Sequence, residues 1–212
     1  MTLAVTILAA YLIGSLPFAV LVANRCGIDI LSTGSGNPGA SNVYRSCGLK
    51  AALVVLFLDV LKGFVPALAA GHFHMLLAPD GMPDPQVWMT ALVGTAAVLG
   101  HVLPIYTRFY GGKGVATIGG VIIALAPLAA SATLAVWIGT FLVRRTFSVA
   151  SLTGALAFPF AVYLFEGERD LWIMMWGLMV PLVVFITHRD NIRRLIESQE
   201  FGFRRPHDED EP

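Results

Sequence analysis

Three polar stretches hold the residues whose types and spacing could do chemistry. The first runs Gly34-Ser35-Gly36-Asn37-Pro38-Gly39-Ala40-Ser41-Asn42 with Arg45 close behind, the second is Gly111-Gly112-Lys113-Gly114, and the third is His188-Arg189-Asp190-Asn191. Closely spaced glycines such as Gly34, Gly36 and Gly39 permit left-handed backbone conformations in which successive N–H groups converge on an anion. Ser35, Asn37, Ser41 and Asn42 add neutral hydrogen-bonding groups, and Arg45 adds a planar fork matched to phosphate. Lys113 opens an apolar run. If that run is a helix, its unpaired N–H groups and positive dipole end add to the pull of the ammonium on an anion. The chemistry common to all three stretches is the binding of anions, phosphate groups foremost.

Two familiar nucleotide motifs fail their context tests. Gly34, Gly36 and Gly39 satisfy GxGxxG, but they follow an apolar run and a polar link rather than a buried strand. Lys113 is followed by Gly114 instead of Ser or Thr, and the earlier glycine of a phosphate loop is missing. Blander readings stay open: a Gly-rich turn with polar caps for the first stretch, and an inner-leaflet anchor for Lys113. His101 and His188 each fall at the end of an apolar run, where imidazole serves either as a structural hydrogen-bonding group or as part of a site. His72 and His74 are two ligands without partners, so no metal is expected. Asp59 and Lys62 are three apart and are expected to pair on one helix face, because a lone charge in the membrane costs at least ~2.5 kcal/mol. Ser148 and Ser151, after Arg144 and Arg145, either cap a helix or reach an anion drawn in by the arginines.

The elements that must position these groups are membrane spans. Of 212 residues 56% are hydrophobic and 13% charged, and the mean hydropathy is +0.73, too apolar for an ordinary soluble domain. The net charge of zero gives no support to nucleic-acid binding. Apolar runs fall at 3–23, 51–70, 87–106, 115–143, 148–165 and 171–187, and the first is read as a retained span, with no charged n-region before it. The fourth is about 43 Å long as one straight helix and holds Pro127, which predicts two helices turning at Ala126 to Ser131. Arg108 and Lys113 before that run and Arg144 and Arg145 after it place both ends inside. The result is an all-α membrane protein of seven transmembrane helices, with the N-terminus outside and the C-terminus cytoplasmic. The outer loops then hold Asp80, Asp84, Glu166, Glu168 and Asp170, with Arg169 as the one cation there and Trp88 and Trp172 at the outer interface. Cys26 and Cys47 face the cytosol as thiols. A single domain covers 1–200, including an amphipathic interfacial helix over 189–200, and 201–212 is a disordered acidic tail.

Taken together, these residues resemble the bacterial PlsY-type acyl-phosphate:glycerol-3-phosphate acyltransferase family over nearly the whole chain. The resemblance rests on the stretch from Ser35 to Asn42 with Arg45, on Gly111 to Thr117 preceded by Gly100-His101, on His188 to Leu195, and on Leu58 to Gly63. Departures are mild: Ser41 stands for the usual Thr, Tyr110 for a common Lys, Thr146 for a common Tyr and Ser198 for the usual Gly.

The resemblance implies transfer of a fatty acyl group from acyl phosphate to the 1-hydroxyl of glycerol 3-phosphate, giving lysophosphatidic acid and phosphate at the start of phospholipid synthesis. It implies a bacterial inner membrane location with the site facing the cytoplasm, membrane lipids as surroundings and no cofactor. None of the five histidines has Asp five positions on, so the His-Asp base of other glycerolipid acyltransferases is absent. Ser35, Arg45, Lys113 and His188 are the expected catalytic residues. Gly34, Gly36, Asn37, Gly39, Asn42, His101, Gly112, Gly114, Ser148 and Asn191 are expected to bind substrate. Arg45, Lys113 and the 34–39 backbone would align phosphates while Ser148, His188 and Asn191 position glycerol 3-phosphate, with a substrate phosphate accepting the hydroxyl proton. Gly119, Gly120 and Ala124 are available to line an acyl groove. An anion transporter is the rival class, since intramembrane charges and broken helices also mark transport sites.

Overall fold

The computed structural model describes residues 2–73, 85–166 and 170–203. His74, Asp80, Asp84, Glu168, Arg169, His207 and the acidic run from Arg204 lie outside the described residues. Long apolar runs satisfy their backbone groups in hydrocarbon only as helices or closed barrels, and here they are helices. In chain order these are α1 Thr2–Gly14, α2 Phe18–Arg25, α3 Ala40–Cys47, α4 Leu49–His72, α5 Pro85–Val102, α6 Val115–Leu125, α7 Pro127–Arg144, α8 Phe147–Phe165, α9 Leu171–Thr187 and α10 Arg189–Ile196. A 3₁₀ turn at Ile105–Thr107 follows α5, and no strand occurs among the described residues.

Helices α1 and α2 form one span, Leu3–Arg25, interrupted at Ser15, Leu16 and Pro17. With α4, Gln86–Thr107, α7 and α8 it makes five segments long and apolar enough to cross a membrane; α9 with α10, bent by 62° between them, makes a sixth. The count falls short of seven because α6 has only 11 residues, about 16 Å at 1.5 Å per residue against a hydrocarbon core of about 30 Å. The expected turn over Ala126 to Ser131 shrinks to Ala126 alone, at φ −148° and ψ 72°. Pro127 needs no N–H partner in a first turn, so it starts α7 at once.

The core lies where α5, α6, α8 and α9 meet, around Val98, Val121, Phe158 and Trp176, whose indole donates to the Ala91 carbonyl at 3.2 Å. Close crossings between helices rest on glycine pairs. A Cβ on Gly120 would strike the Val60 carbonyl of α4, and one on Gly63 would strike the Thr117 carbonyl of α6. Gly120 therefore seals two helices together rather than lining an acyl groove, whereas Gly119 faces open space. Asp59 and Lys62 do pair, at 2.7 Å, and both are buried.

A second cluster, Ala23, Ile30, Val43, Tyr44 and Val55, lies beneath the polar loops. Phe203 stacks on Tyr44 with centroids 4.7 Å apart and also meets Phe147 and Phe141. The tail boundary at residue 200 thus moves: Phe203 is packed among aromatic partners on α3, α7 and α8, and Phe201, although exposed, lies under the Arg45 and Arg194 guanidinium groups. At the end of α10, Ser198 adopts φ +57°, a left-handed conformation that a glycine there takes without steric cost. Cys26 and Cys47 are free thiols that touch each other, and burial pushes Cys47 up to about 11.

Candidate functional site

The first polar loop enters α3 through two left-handed glycines, Gly34 at φ +60° and Gly36 at φ +67°. Asn42 holds that loop from beneath. Its Nδ2 donates to the Thr33 carbonyl at 2.9 Å and the Ile30 carbonyl at 3.3 Å, and its Oδ1 accepts from the Ser35 N–H at 3.3 Å. With no exposed surface and its amide so occupied, Asn42 shapes the loop rather than facing a ligand. Ser35, Asn37 and Gly39 remain partly exposed on it. Arg45, one turn into α3, is carried to the same side.

The second loop sits on the end of α5. The Gly112 N–H donates to the His101 carbonyl at 3.2 Å, and Gly114 at φ +84° turns the chain into α6. Lys113 therefore stands at the N-terminus of α6, where free N–H groups reinforce a bound anion. Thr187 at the end of α9 donates through Oγ1 to the Lys113 carbonyl at 3.0 Å, which ties this loop to the third polar stretch.

A run of polar contacts then joins all three stretches. Lys113 Nζ donates to Asn191 Oδ1. Asn191 Nδ2 donates to Glu200 Oε1 at 2.5 Å, and Arg194 Nε donates to Glu200 Oε2 at 3.0 Å. The guanidinium groups of Arg45 and Arg194 both lie over the Phe201 ring, at 5.0 and 5.2 Å from its centroid. Arg45, Lys113, His188 and Asn191 are thus brought together around one carboxylate. Ser148 is buried at the start of α8 with its Oγ unpartnered. Its neighbour Phe147 packs edge-on to Tyr44, the residue before Arg45. Neither Ser148 nor Ser151 caps α8; Thr146 occupies the N-cap, and Ser151 bonds back to the Phe147 carbonyl at 2.9 Å.

Glu200, Arg194, Phe201 and Thr187 belong to this arrangement and were not legible as site residues. Arg194 and Glu200 read as the polar side of an amphipathic helix. The usable signal was Phe201-Gly202-Phe203, an aromatic pair just after a charged helix.

Electrostatics follow from this crowding. Burial lowers Lys113 to about 8, with Arg194 and Arg45 pushing the same way and Glu200 and Asp190 opposing. Burial also pulls Arg45 below its usual range, against Glu200. His188, just beyond α9, is lowered to about 4 by burial and by the Lys113 charge, so it is neutral at pH 7. Its Nδ1 lies 2.8 Å from the Val184 carbonyl, which can only accept. The proton is therefore on Nδ1, and Nε2 presents a lone pair. Cations, loop amides and one neutral imidazole acceptor suit the alignment of phosphate groups beside a hydroxyl.

Comparison with known proteins gives a consistent set of matches. The family described as glycerol-3-phosphate acyltransferase matches residues 4–198. A glycerol-3-phosphate acyltransferase of Geotalea daltonii is 45% identical over 95% of this chain and 97% of its own. One of Aquifex aeolicus is 38% identical over 93% of this chain and 97% of its own. Two crystal structures of PlsY, described as an integral membrane glycerol 3-phosphate acyltransferase, superpose with TM-scores of 0.85 and 0.82 at 36% identity. The first, a glycerol 3-phosphate form, covers 96% of each chain; the second, a lysophosphatidic acid form, covers 95% of each.

Proposed function

Because the chain belongs to the glycerol-3-phosphate acyltransferase family, we propose that its three polar stretches form one active site in which acyl phosphate and glycerol 3-phosphate are aligned by their phosphates. It is an integral membrane acyltransferase of phospholipid synthesis that acylates glycerol 3-phosphate to lysophosphatidic acid. The observation that carries the site assignment is the Lys113–Asn191 contact beside Arg45, which brings three stretches far apart in sequence to one place.

In this reading the 1-hydroxyl oxygen attacks the carbonyl carbon of acyl phosphate. The bond from that carbon to the bridging oxygen breaks, phosphate leaves, and the hydroxyl proton passes to a substrate phosphate. Arg45, Lys113 and the backbone amides of Gly34 and Gly114 hold negative charge as it shifts to the leaving group, while the Gly36, Gly39 and Gly112 N–H groups, bonded to the Thr33, Asn37 and His101 carbonyls, fix the loops that carry them. His188 Nε2 accepts from the hydroxyl and orients it, and Ser35, Asn37, Ser148 and Asn191 complete the polar shell.

Seven crossings, with the N-terminus outside and the C-terminus cytoplasmic, make one domain in the bacterial inner membrane that extends past residue 200 to Phe203. Several contacts support this topology. Trp88 and Trp172 lie 6.4 Å apart at the end of the bundle away from the site, and there Glu166 accepts from the Ala129 N–H at 3.1 Å. Helix α6 therefore runs from Lys113 at the site end to the neighbourhood of Glu166 at the other, and α7 returns. The cationic end is the cytoplasmic one by the bias of Lys and Arg.

The donor is tested by offering labelled glycerol 3-phosphate with acyl phosphate, acyl-carrier-protein thioester or coenzyme A thioester in detergent. Organic-extractable product is expected from acyl phosphate alone; equal yields from a thioester would refute the donor assignment. The pH profile is a second test. Lys113 is a cation below about 8 and loses its charge above it, so kcat/KM falls on the alkaline side from about that pH. Lys113→Arg stays charged far higher, so that limb shifts upward in the variant even if its maximum is lower.

A further inference from the structure

Behind the Gly111–Gly114 loop lies a buried ionic cluster. Lys62 Nζ is 2.7 Å from Asp59 Oδ1 and donates to the Leu16 carbonyl at 3.0 Å. Leu16 sits at the break between α1 and α2, where the helical ladder is interrupted, and its carbonyl accepts both from Lys62 and from the Phe18 N–H at 3.1 Å. His101 Nδ1 is 3.8 Å from the same Asp59 oxygen and has no hydrogen-bond partner, although His101 is only 6% exposed. The other edge of the ring, Nε2, packs so closely on Gly112 that a Cβ there would strike it. Gly111 is pressed in the same way against the His101 and Val102 carbonyls. A small, partly open recess connects these groups, with Pro38 of the first polar loop on its wall.

An ion pair that served only to neutralise itself would need neither His101 nor the glycine loop. Here the pair is anchored on α4, braced against the broken first span, and lies beside the imidazole that packs on Gly112 of the loop. Resting on the active-site reading above, we propose that Lys62, Asp59 and His101 are positioning residues: Asp59, fixed by Lys62, orients the His101 ring, and His101, whose carbonyl accepts the Gly112 N–H and whose ring packs on Gly112, sets the Gly111 and Gly114 amides at the spacing a substrate phosphate requires. The loop amides are weak donors individually, so their value lies in fixed geometry, and a misplacement of about 1 Å is worth roughly a hundredfold in rate.

The test uses two variants of the full-length enzyme in detergent. Asp59→Leu/Lys62→Met replaces the pair with apolar groups of similar size, an exchange that is often neutral for folding. His101→Gln leaves the ion pair intact. In both, KM for one of the two phosphate substrates is expected to rise about tenfold or more, with the other KM within about twofold, because the loop holds one phosphate. A purely structural pair would lower the amount of active enzyme and leave both KM values alone. Unchanged KM values in His101→Gln, or wild-type KM values in the double variant, would overturn the proposal. Should the double variant fail to fold, His101→Gln decides alone. Persistence of acyl-phosphate-dependent activity in either case separates failure of the relay from failure of the active-site reading.

Discussion

Lys113→Ala is expected to lower kcat/KM for acyl transfer by about 10²–10³, equivalent to about 2.7–4 kcal/mol of transition-state stabilisation. The ammonium is the cation nearest the start of α6, and it reaches Asn191 across 78 residues of sequence. Its charge is poorly solvated where it sits, as its fall to about 8 indicates. A dianionic phosphate would restore the favourable environment that burial removes, so binding is strongest while the transferred charge is largest. Thermal unfolding in detergent checks that the fold survives. Activity within threefold of wild type in a folded variant would remove Lys113 from the mechanism.

Arg45→Lys is the second large effect, and it separates charge from shape. The substitution keeps a cation but loses the planar fork and the stacking on Phe201, whose ring centre is 5.0 Å from the guanidinium carbon. Arg and Lys are not interchangeable at stacked, bidentate sites. A loss of about 10²-fold in kcat/KM is expected for Arg45→Lys, with Arg45→Ala no more than about tenfold worse. Full activity in Arg45→Lys would mean that only net charge matters at this position.

The helical architecture and the cationic end of the bundle were legible because spans and loops differ so sharply in composition. Arg45, Lys113, His188 and Asn191 were legible because polar residues next to long apolar runs stand out. The task of Asn42 was not, since a residue in a polar loop gives no sign in sequence that all its hydrogen bonds turn inward to Ile30, Thr33 and Ser35. Gly120 was misplaced for a similar reason. A small residue next to open space and one wedged against a carbonyl look alike until the neighbouring helix is in place. Glu200 was hidden because a carboxylate on the polar side of an amphipathic helix reads as a solvated charge until the fold turns it onto Asn191 and Arg194.

The packing of Phe201 and Phe203 onto α3 and α8 also has a bearing on biogenesis. Arg45 leaves the ribosome among the earliest residues, but the ring that stacks on it and Glu200, the carboxylate whose charge favours its cationic form, come only after every span has been synthesised. A nascent chain halted after five or six insertions would carry Arg45 without the counterparts that arrange it. The arrangement of Arg45 beside Phe201 is therefore completed only once membrane integration has finished.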